Sequence, residues 1–407
     1  MNTQVIISGG GVPGLTLAIT LGQAGIRTAV IDPYESDPLE TLKKSDTISG
    51  HTTALMQDSL NILEPTGVLE DINPYAGQLF TMKIVDMTKG TGEQARITKS
   101  FDALEIGRER FGLNIPTNIL RAALVEKARE IDEVELYFGR FVHDFTSDPH
   151  FITVRLDDGT SLQAKTLVGA DGRSSPTREI ARIESYEQDY GQDALTFRIS
   201  HSHDHHNVST ELHRPGGPLT FVPLAGRGES SVVWVEKRDR AQDFLKLKKQ
   251  EFRQALQDAS GGIMGDIAIE SAPSSKSLKL VVAKNMSGWR QNHRVFLTGE
   301  AAHALHPMGA QGLNLSLRDV KVLADLMIKQ ITLGLDIGAQ SVMKDYERTR
   351  KLDVAARAAG THGLVASLSH DIGAGHNLRR AGLKVLTALS PLKHVLMRGG
   401  MTGSFGK

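Results

Sequence analysis

The chain contains no cysteine. Disulfides, thiolate-bound zinc and iron–sulfur clusters are therefore excluded, and the composition fits a reducing compartment. A charge excess is missing too: Lys+Arg and Asp+Glu each number 47, so there is no basic footprint for nucleic acid. No uninterrupted apolar run approaches the roughly 18 residues of a membrane span. No secretory leader is visible, because Met1 to Ser8 reads as a strand running straight into glycines. These features point to a cytoplasmic protein. Aromatic residues make up only 5%, and the two tryptophans, Trp234 and Trp289, lie far apart. Repeats and low-complexity segments are absent. What remains is an ordinary globular composition, 40% hydrophobic over 407 residues, enough for two or three domains and a large core.

Three strand-end motifs organise the chain. The first is a buried run, Val5-Ile6-Ile7, followed by Gly9-Gly10-Gly11-Val12-Pro13-Gly14 and a helical pattern. Gly9, Gly11 and Gly14 fit G-x-G-x-x-G, a loop that lets backbone N–H groups reach a pyrophosphate at a helix start. A second strand, Thr28 to Ile31, ends at Asp32, about 20 residues on, where a carboxylate can bond a ribose hydroxyl. The next motif follows Leu162 to Leu167: Asp171-Gly172, then small polar residues, with Arg178 able to anchor the turn or meet a phosphate. The last runs from Val295 to Val320. It has a short strand, Gly299-Glu300, a loop with Pro307, Gly309 and Gly312, and then apolar residues at helical spacing from Leu315. Unpaired N–H groups and a partial positive charge at that helix start suit an anion, or a ring that becomes anionic when reduced.

Between these motifs the spacing predicts a helix within Thr47 to Leu63, a helix over Thr117 to Glu130, and strands over Met82 to Val85 and Ala95 to Phe101. Further strands are expected at Ala194 to Ile199, Leu219 to Leu224 and Ser231 to Glu236, an antiparallel sheet inserted into an α/β core. Phe221, Pro223 and Trp234 are candidates for its ligand-facing side. One charged helix is expected from Arg240 to Ala259. The run His201-Ser202-His203-Asp204-His205-His206 has metal-ligating residue types, but with no second cluster it reads as a polar loop, and no metal is assigned. Leu378 to Met401 is basic and amphipathic, a pattern compatible with core packing, self-association or contact with a membrane surface.

Three such motifs in one chain resemble the class A flavoprotein aromatic monooxygenases of the para-hydroxybenzoate hydroxylase type. His303, Pro307, Gly309, Gln311, Gly312, Asn314 and Asp319 match that pattern. Glu300 stands where the family has Asp, Ala310 replaces a common Gly, and His51 stands where an arginine near the FAD phosphates is frequent. Within the class, Leu313 to Val320, Ser49 to Leu55, Phe111 to Pro116, Gly217-Pro218, Phe221 to Leu224, Val233-Trp234, and Tyr346 with Arg350 and Asp353 look most like the ubiquinone-biosynthesis hydroxylases.

The resemblance implies an FAD-binding Rossmann-like α/β domain (1–75, 102–185 and 278–350), a β-sheet substrate domain (76–101 and 186–277) and a C-terminal helical region (351–407). FAD would lie along Gly9, Gly11, Gly14, Asp32, His51, Asp171, Gly172, Gly299, Glu300, Gly309, Gln311, Gly312 and Asn314. The implied reaction is hydroxylation of a phenolic ring with O2 and NAD(P)H through a flavin C4a-hydroperoxide. Pro307, through its carbonyl, and the backbone of Gly312, Leu313 and Asn314 would flank the flavin. A polyprenyl-phenol is the expected substrate, with other quinone-biosynthesis proteins as partners. Other aromatic substrates (a salicylate-like ring, a polyketide or an antibiotic) remain alternatives, as does a non-catalytic binder of the GDP-dissociation-inhibitor type. The W-x-W-x-I-P element of flavin halogenases is absent.

Overall fold

The structure is a computed structural model that describes residues 3–35, 37, 39–42, 48–88 and 97–369. The amphipathic stretch from Leu378 to Met401 and the expected turn at 89–92 lie outside these residues.

A five-stranded parallel sheet forms the centre, in the order Val295–Leu297, Thr166–Gly169, Val5–Ser8, Thr28–Asp32, Val134–Phe138. Nearly all of the residues of its first four strands are buried, which is why those strands read as short continuous apolar runs and not as alternation. Helices Val12–Gln23, Thr117–Arg129 and Gln311–Thr332 pack around it in one contiguous core.

A nine-stranded sheet stands beside this domain. Its main order is His303–Ala304, Ser274–Ala283, Ser185–His201, Glu229–Lys237, Gly217–Pro223, Val208–Arg214, Thr81–Asp86, Ile97–Asp102, with Ile267–Ile269 attached to Ser185–His201. All pairings are antiparallel except Val208–Arg214 with Thr81–Asp86. One face is covered by two helices, Arg238–Lys246 and Lys249–Ser260, over a core of Leu195, Phe197, Phe221, Trp234 and Phe252. The single helix expected here is broken at Leu247, whose backbone is extended. A new helix starts at Lys249, after the N-cap Lys248, whose N–H donates to the Glu251 carboxylate at 3.0 Å.

Two further expectations shift. Thr52–Met56 is a strand, not helix, because it pairs with Gly112–Pro116; the helix begins only at Gln57. Gly77–Leu79, inside the segment 76–101 expected in the substrate domain, is a short strand that pairs with Gly112–Pro116.

Candidate active site

The central sheet gathers the three motifs by strand order alone. The strands that end at Gly9, Asp171 and Gly299 are immediate neighbours, and the strand ending at Asp32 lies next in line. Contact is tight. Gly9 has φ +113°, and a Cβ there would stand 2.3 Å from the Ala170 carbonyl oxygen. A Cβ on Gly299 would sit 3.4 Å from Pro13, at the start of helix Val12–Gln23, and 3.3 Å from Ser316 Oγ. The glycine loop, the Asp-Gly turn and the Gly-Glu turn therefore form one site.

Its polar atoms are arranged for an extended anionic ligand. Helix Val12–Gln23 starts at Gly11 with no side-chain cap and no acid in its first turn, and only Pro13 Cδ, at 3.9 Å, comes near the open side of Gly11. Helix Gln311–Thr332 likewise starts uncapped and without acid, and none of the described residues lies within 4 Å of the open side of Gly312. Two helix N-termini with free N–H groups face open space, as a pyrophosphate and a reduced flavin ring require.

Asp32 is buried and accepts from Gly10 N–H at 2.6 Å and Tyr34 N–H at 2.8 Å. Arg121, a residue the sequence did not single out, ties this end of the sheet together. It donates to the carbonyls of Gly10, Glu35 and Tyr34 and pairs with Asp32 at 3.4 Å. Its only sequence signal is a charge set on an otherwise apolar helix face.

Asp171 accepts from the Ser175 hydroxyl, from Thr177 N–H at 2.9 Å and from Ser8 Oγ at 3.4 Å, so its carboxylate chiefly braces its own turn. Gly172 has φ +82° and open space around it. Arg178 anchors the turn: it is buried and donates to the carbonyls of Ala301 and Arg173.

On the flavin side, the carboxylate that holds Gly299 is Asp319, at 3.0 Å from its N–H, and not Glu300. Glu300 is exposed and pairs with Lys276 at 3.6 Å. His51 bonds Thr117 Oγ1 at 2.9 Å; desolvation and Lys276 lower its pKa, with Glu300 opposing. Asp319 is fully buried and holds His303 Nε2 and Arg350 Nε, each at 2.6 Å. Burial pushes its pKa up, but His303 and Arg350 outweigh it and keep the carboxylate below its usual range. The chain continues through Arg350–Asp353 (2.9 Å), Asp353–Arg357 (2.9 Å) and Arg357 to Gln311.

The side chain of Asn314 has a structural task beside the one expected of its backbone. It accepts from Met56 N–H and Ser59 Oγ and donates to the carbonyls of Ala54 and Ala310, at 2.6 to 2.8 Å. These four bonds use the full capacity of the side chain to tie the helix start to Ala54, Met56, Ser59 and Ala310. Gln311 is held by Arg357 and by Gly309 O at 2.9 Å. Pro307 and Gly309 are exposed at the mouth of the loop.

The expected substrate face is corrected. Trp234 is 0% exposed and packs on Phe244 and Phe252, and Phe221 lies in the same core. Both point to the helix-covered face, because bulk alone does not tell which face of a strand a side chain takes. Pro223 is buried, and its carbonyl accepts from Asn114 Nδ2 at 2.9 Å. The opposite face carries Val222, which clusters with Met56, Leu79, Phe111 and Ala310, and Ser231, which bonds Thr52 Oγ1 at 2.6 Å. The histidine run is tied into its loop: His201 Nε2 meets Ser230 Oγ and His205 Nε2 meets Gly226 O, both at 2.9 Å.

His306, next to Pro307, is 1% exposed, and burial lowers its pKa from 6.5 to about 4. The unfolded chain therefore binds the extra proton first as pH falls. Stability is complete above 6.5 and is lost as pH drops toward 4, by roughly 3 kcal/mol in total. His306→Gln is expected to flatten that part of the unfolding-against-pH curve; an unchanged slope between pH 6.5 and 4 rejects this assignment.

Comparison with known proteins agrees with this geometry. The FAD binding domain family matches residues 2–360. The chain is 30% identical over 398 residues to the ubiquinone hydroxylase UbiL of Rhodospirillum rubrum, covering 98% of this chain and 89% of that protein. It is 24% identical to the 3-demethoxyubiquinol 3-hydroxylase of Escherichia coli, covering 97% of each. Among solved structures, the p-nitrophenol 4-monooxygenase PnpA of Pseudomonas putida has the same fold, with a TM-score of 0.78 at 20% identity over 98% of this chain and 97% of that one. With strand-end motifs, uncapped helix starts and sequence all in agreement, the chain belongs to the FAD binding domain family and is a class A FAD-dependent aromatic monooxygenase.

Proposed function

We propose that this monooxygenase hydroxylates the ring of a prenylated phenol in ubiquinone biosynthesis, with O2 and NAD(P)H as co-substrates. The observation that carries the reading is the near full-length similarity to a ubiquinone hydroxylase. A physical feature supports it. Met56, Leu79, Phe111, Val222 and partly buried Phe101, Met82 and Ala310 form an apolar cluster between the large sheet and the loop after Pro307. An apolar wall there suits a ligand whose tail is hydrocarbon.

When bound, FAD supplies the redox chemistry, carrying electrons from NAD(P)H to O2. The chain supplies the rest. The N–H groups at Gly11 would hold the pyrophosphate and Asp32 the ribose. Gly312 and Leu313 would present N–H groups to the ring's negative edge, where a fixed dipole costs no reorganisation. The apolar cluster excludes water from the reacting ring.

The test is an absorbance spectrum of the purified protein, then NAD(P)H oxidation with and without a prenylated phenol in detergent. Flavin bands, stimulated turnover and a hydroxylated product are expected. Turnover of simple phenols, with no product from prenylated ones, would overturn the quinone-pathway assignment.

A further inference from the structure

The strand Val208–Arg214 was not anticipated, and it carries chemistry that the motifs leave unused. Its alternate residues divide between two environments. Thr210 and Leu212 pair with Phe221 and Leu219, on the helix-covered face. Glu211 and His213 take the other face, which they share with Val222 and Ser231. That is the face against Ala310, Thr52 and Asn114, beside the loop after Pro307.

His213 is 3% exposed, and its Nε2 lies 2.7 Å from Glu211 Oε1. A carboxylate only accepts, so Nε2 carries the proton and Nδ1 is left as an acceptor. This Nδ1 is buried and has no partner among the described residues. On the Pro307 loop, His306 Nδ1 is placed to accept from Met308 N–H at 3.4 Å, which leaves a buried Nε2–H with no acceptor among the described residues. Glu211 is close enough for its charge to act on His306. A buried acceptor left unpaired on this face calls for a ligand that carries a donor. A phenolic hydroxyl does.

We propose that Glu211 and His213 form the base that ionises the bound phenol. This rests on the phenol reading above. The phenolic O–H bond breaks and His213 Nδ1–H forms, while the electron pair stays on oxygen and enriches the ring. Glu211 is a positioning residue: it fixes the tautomer and offsets the charge on the imidazolium. After oxygen transfer the imidazolium returns the proton to the product oxygen. O2 and NAD(P)H, through FAD, supply the oxidation. The other titratable groups nearby are Asp86, which lies opposite His213 and accepts from Thr88, and Tyr190, whose ring meets His306 at 5.4 Å and whose hydroxyl lies 3.2 Å from His362 Nδ1.

The experiment uses the FAD-loaded full chain and its His213→Gln and Glu211→Gln variants. Hydroxylated product is followed against pH, and flavin reduction by NAD(P)H is measured separately. Product formation by His213→Gln is expected to fall about a hundredfold at neutral pH and to recover in alkali, where the phenol ionises unaided. Glu211→Gln should shift the profile the same way by a smaller factor, with flavin reduction unchanged in both. A second readout needs no turnover: 4-nitrophenol mixed with oxidised enzyme, at a pH where the free compound is neutral, should show phenolate absorbance with wild type and not with His213→Gln. A flat loss across pH, wild-type profiles, or loss of FAD by both variants would make the pair structural and overturn the proposal. A wild-type enzyme that ionises nitrophenol yet hydroxylates none of the phenols offered keeps the pair and overturns the phenol-hydroxylase reading; one that does neither overturns both.

Discussion

Asp319→Ala is expected to destabilise the protein by about 3 to 5 kcal/mol and to abolish FAD retention. Asp319 is the single acceptor on which His303 Nε2, Arg350 Nε and Gly299 N–H converge. Its side chain and that of His303 are fully buried, and that of Arg350 is 5% exposed. Among the described residues, truncation leaves a buried guanidinium with only Asp353 as a carboxylate partner, and an amide and an imidazole with no acceptor. The lost interactions fall on the turn that passes from the central sheet into the flavin-side loop, so stability and cofactor binding should fail together. Asp319→Asn keeps the shape and one acceptor oxygen and should cost less. Thermal unfolding with and without FAD, and flavin absorbance after purification, check both variants. An alanine variant that unfolds within about 1 kcal/mol of wild type and stays yellow would show that Arg350 and His303 find other partners.

The convergence of the strand-end motifs was legible because each motif is local in sequence. Gly9 to Gly14, Asp32, Asp171 and Gly299 each sit at the end of a short buried strand, and parallel strand order does the rest. The substrate half was not legible, for a physical reason. Its polar face is buried against another domain, so strand Val208–Arg214 shows no clean alternation between core and solvent: Leu212, Glu211 and His213 do not divide into apolar-inside and polar-outside. Thr52–Met56 failed differently. Its residues continue the apolar spacing of the following helix, and only pairing with Gly112–Pro116, more than fifty residues away, makes it a strand. Trp234 and Phe221 attracted a ligand reading by size, yet they are the core that holds the sheet to its helices. The bracing done by the Asn314 side chain has no signal in the sequence, since a side chain's bonding capacity is settled only by its neighbours.

The glycine loop gives the second large effect, and two of its positions separate folding from cofactor binding. A Cβ on Gly14 would lie 2.0 Å from the carbonyl oxygen of Gly9 and 3.3 Å from Ile7 Cγ2. Backbone has no rotamer through which to yield, so Gly14→Ala must push helix Val12–Gln23 off the loop. A cost of about 1 to 3 kcal/mol, with loss of bound FAD, is expected. Gly11 is different. Its φ of −78° suits any residue, and only Pro13 Cδ, at 3.9 Å, is near an added methyl. Gly11→Ala should therefore fold with wild-type stability as apoprotein. Its methyl would nonetheless stand at the uncapped helix start, where the pyrophosphate must approach the backbone. FAD affinity should fall at least tenfold, measured by flavin titration of the apoprotein beside its thermal unfolding curve. Equal stability losses in the two variants would mean that the loop tolerates no side chain at either position. Equal retention of FAD would mean that the pyrophosphate does not lie on this helix start, and the cofactor would then have to be placed elsewhere along the sheet.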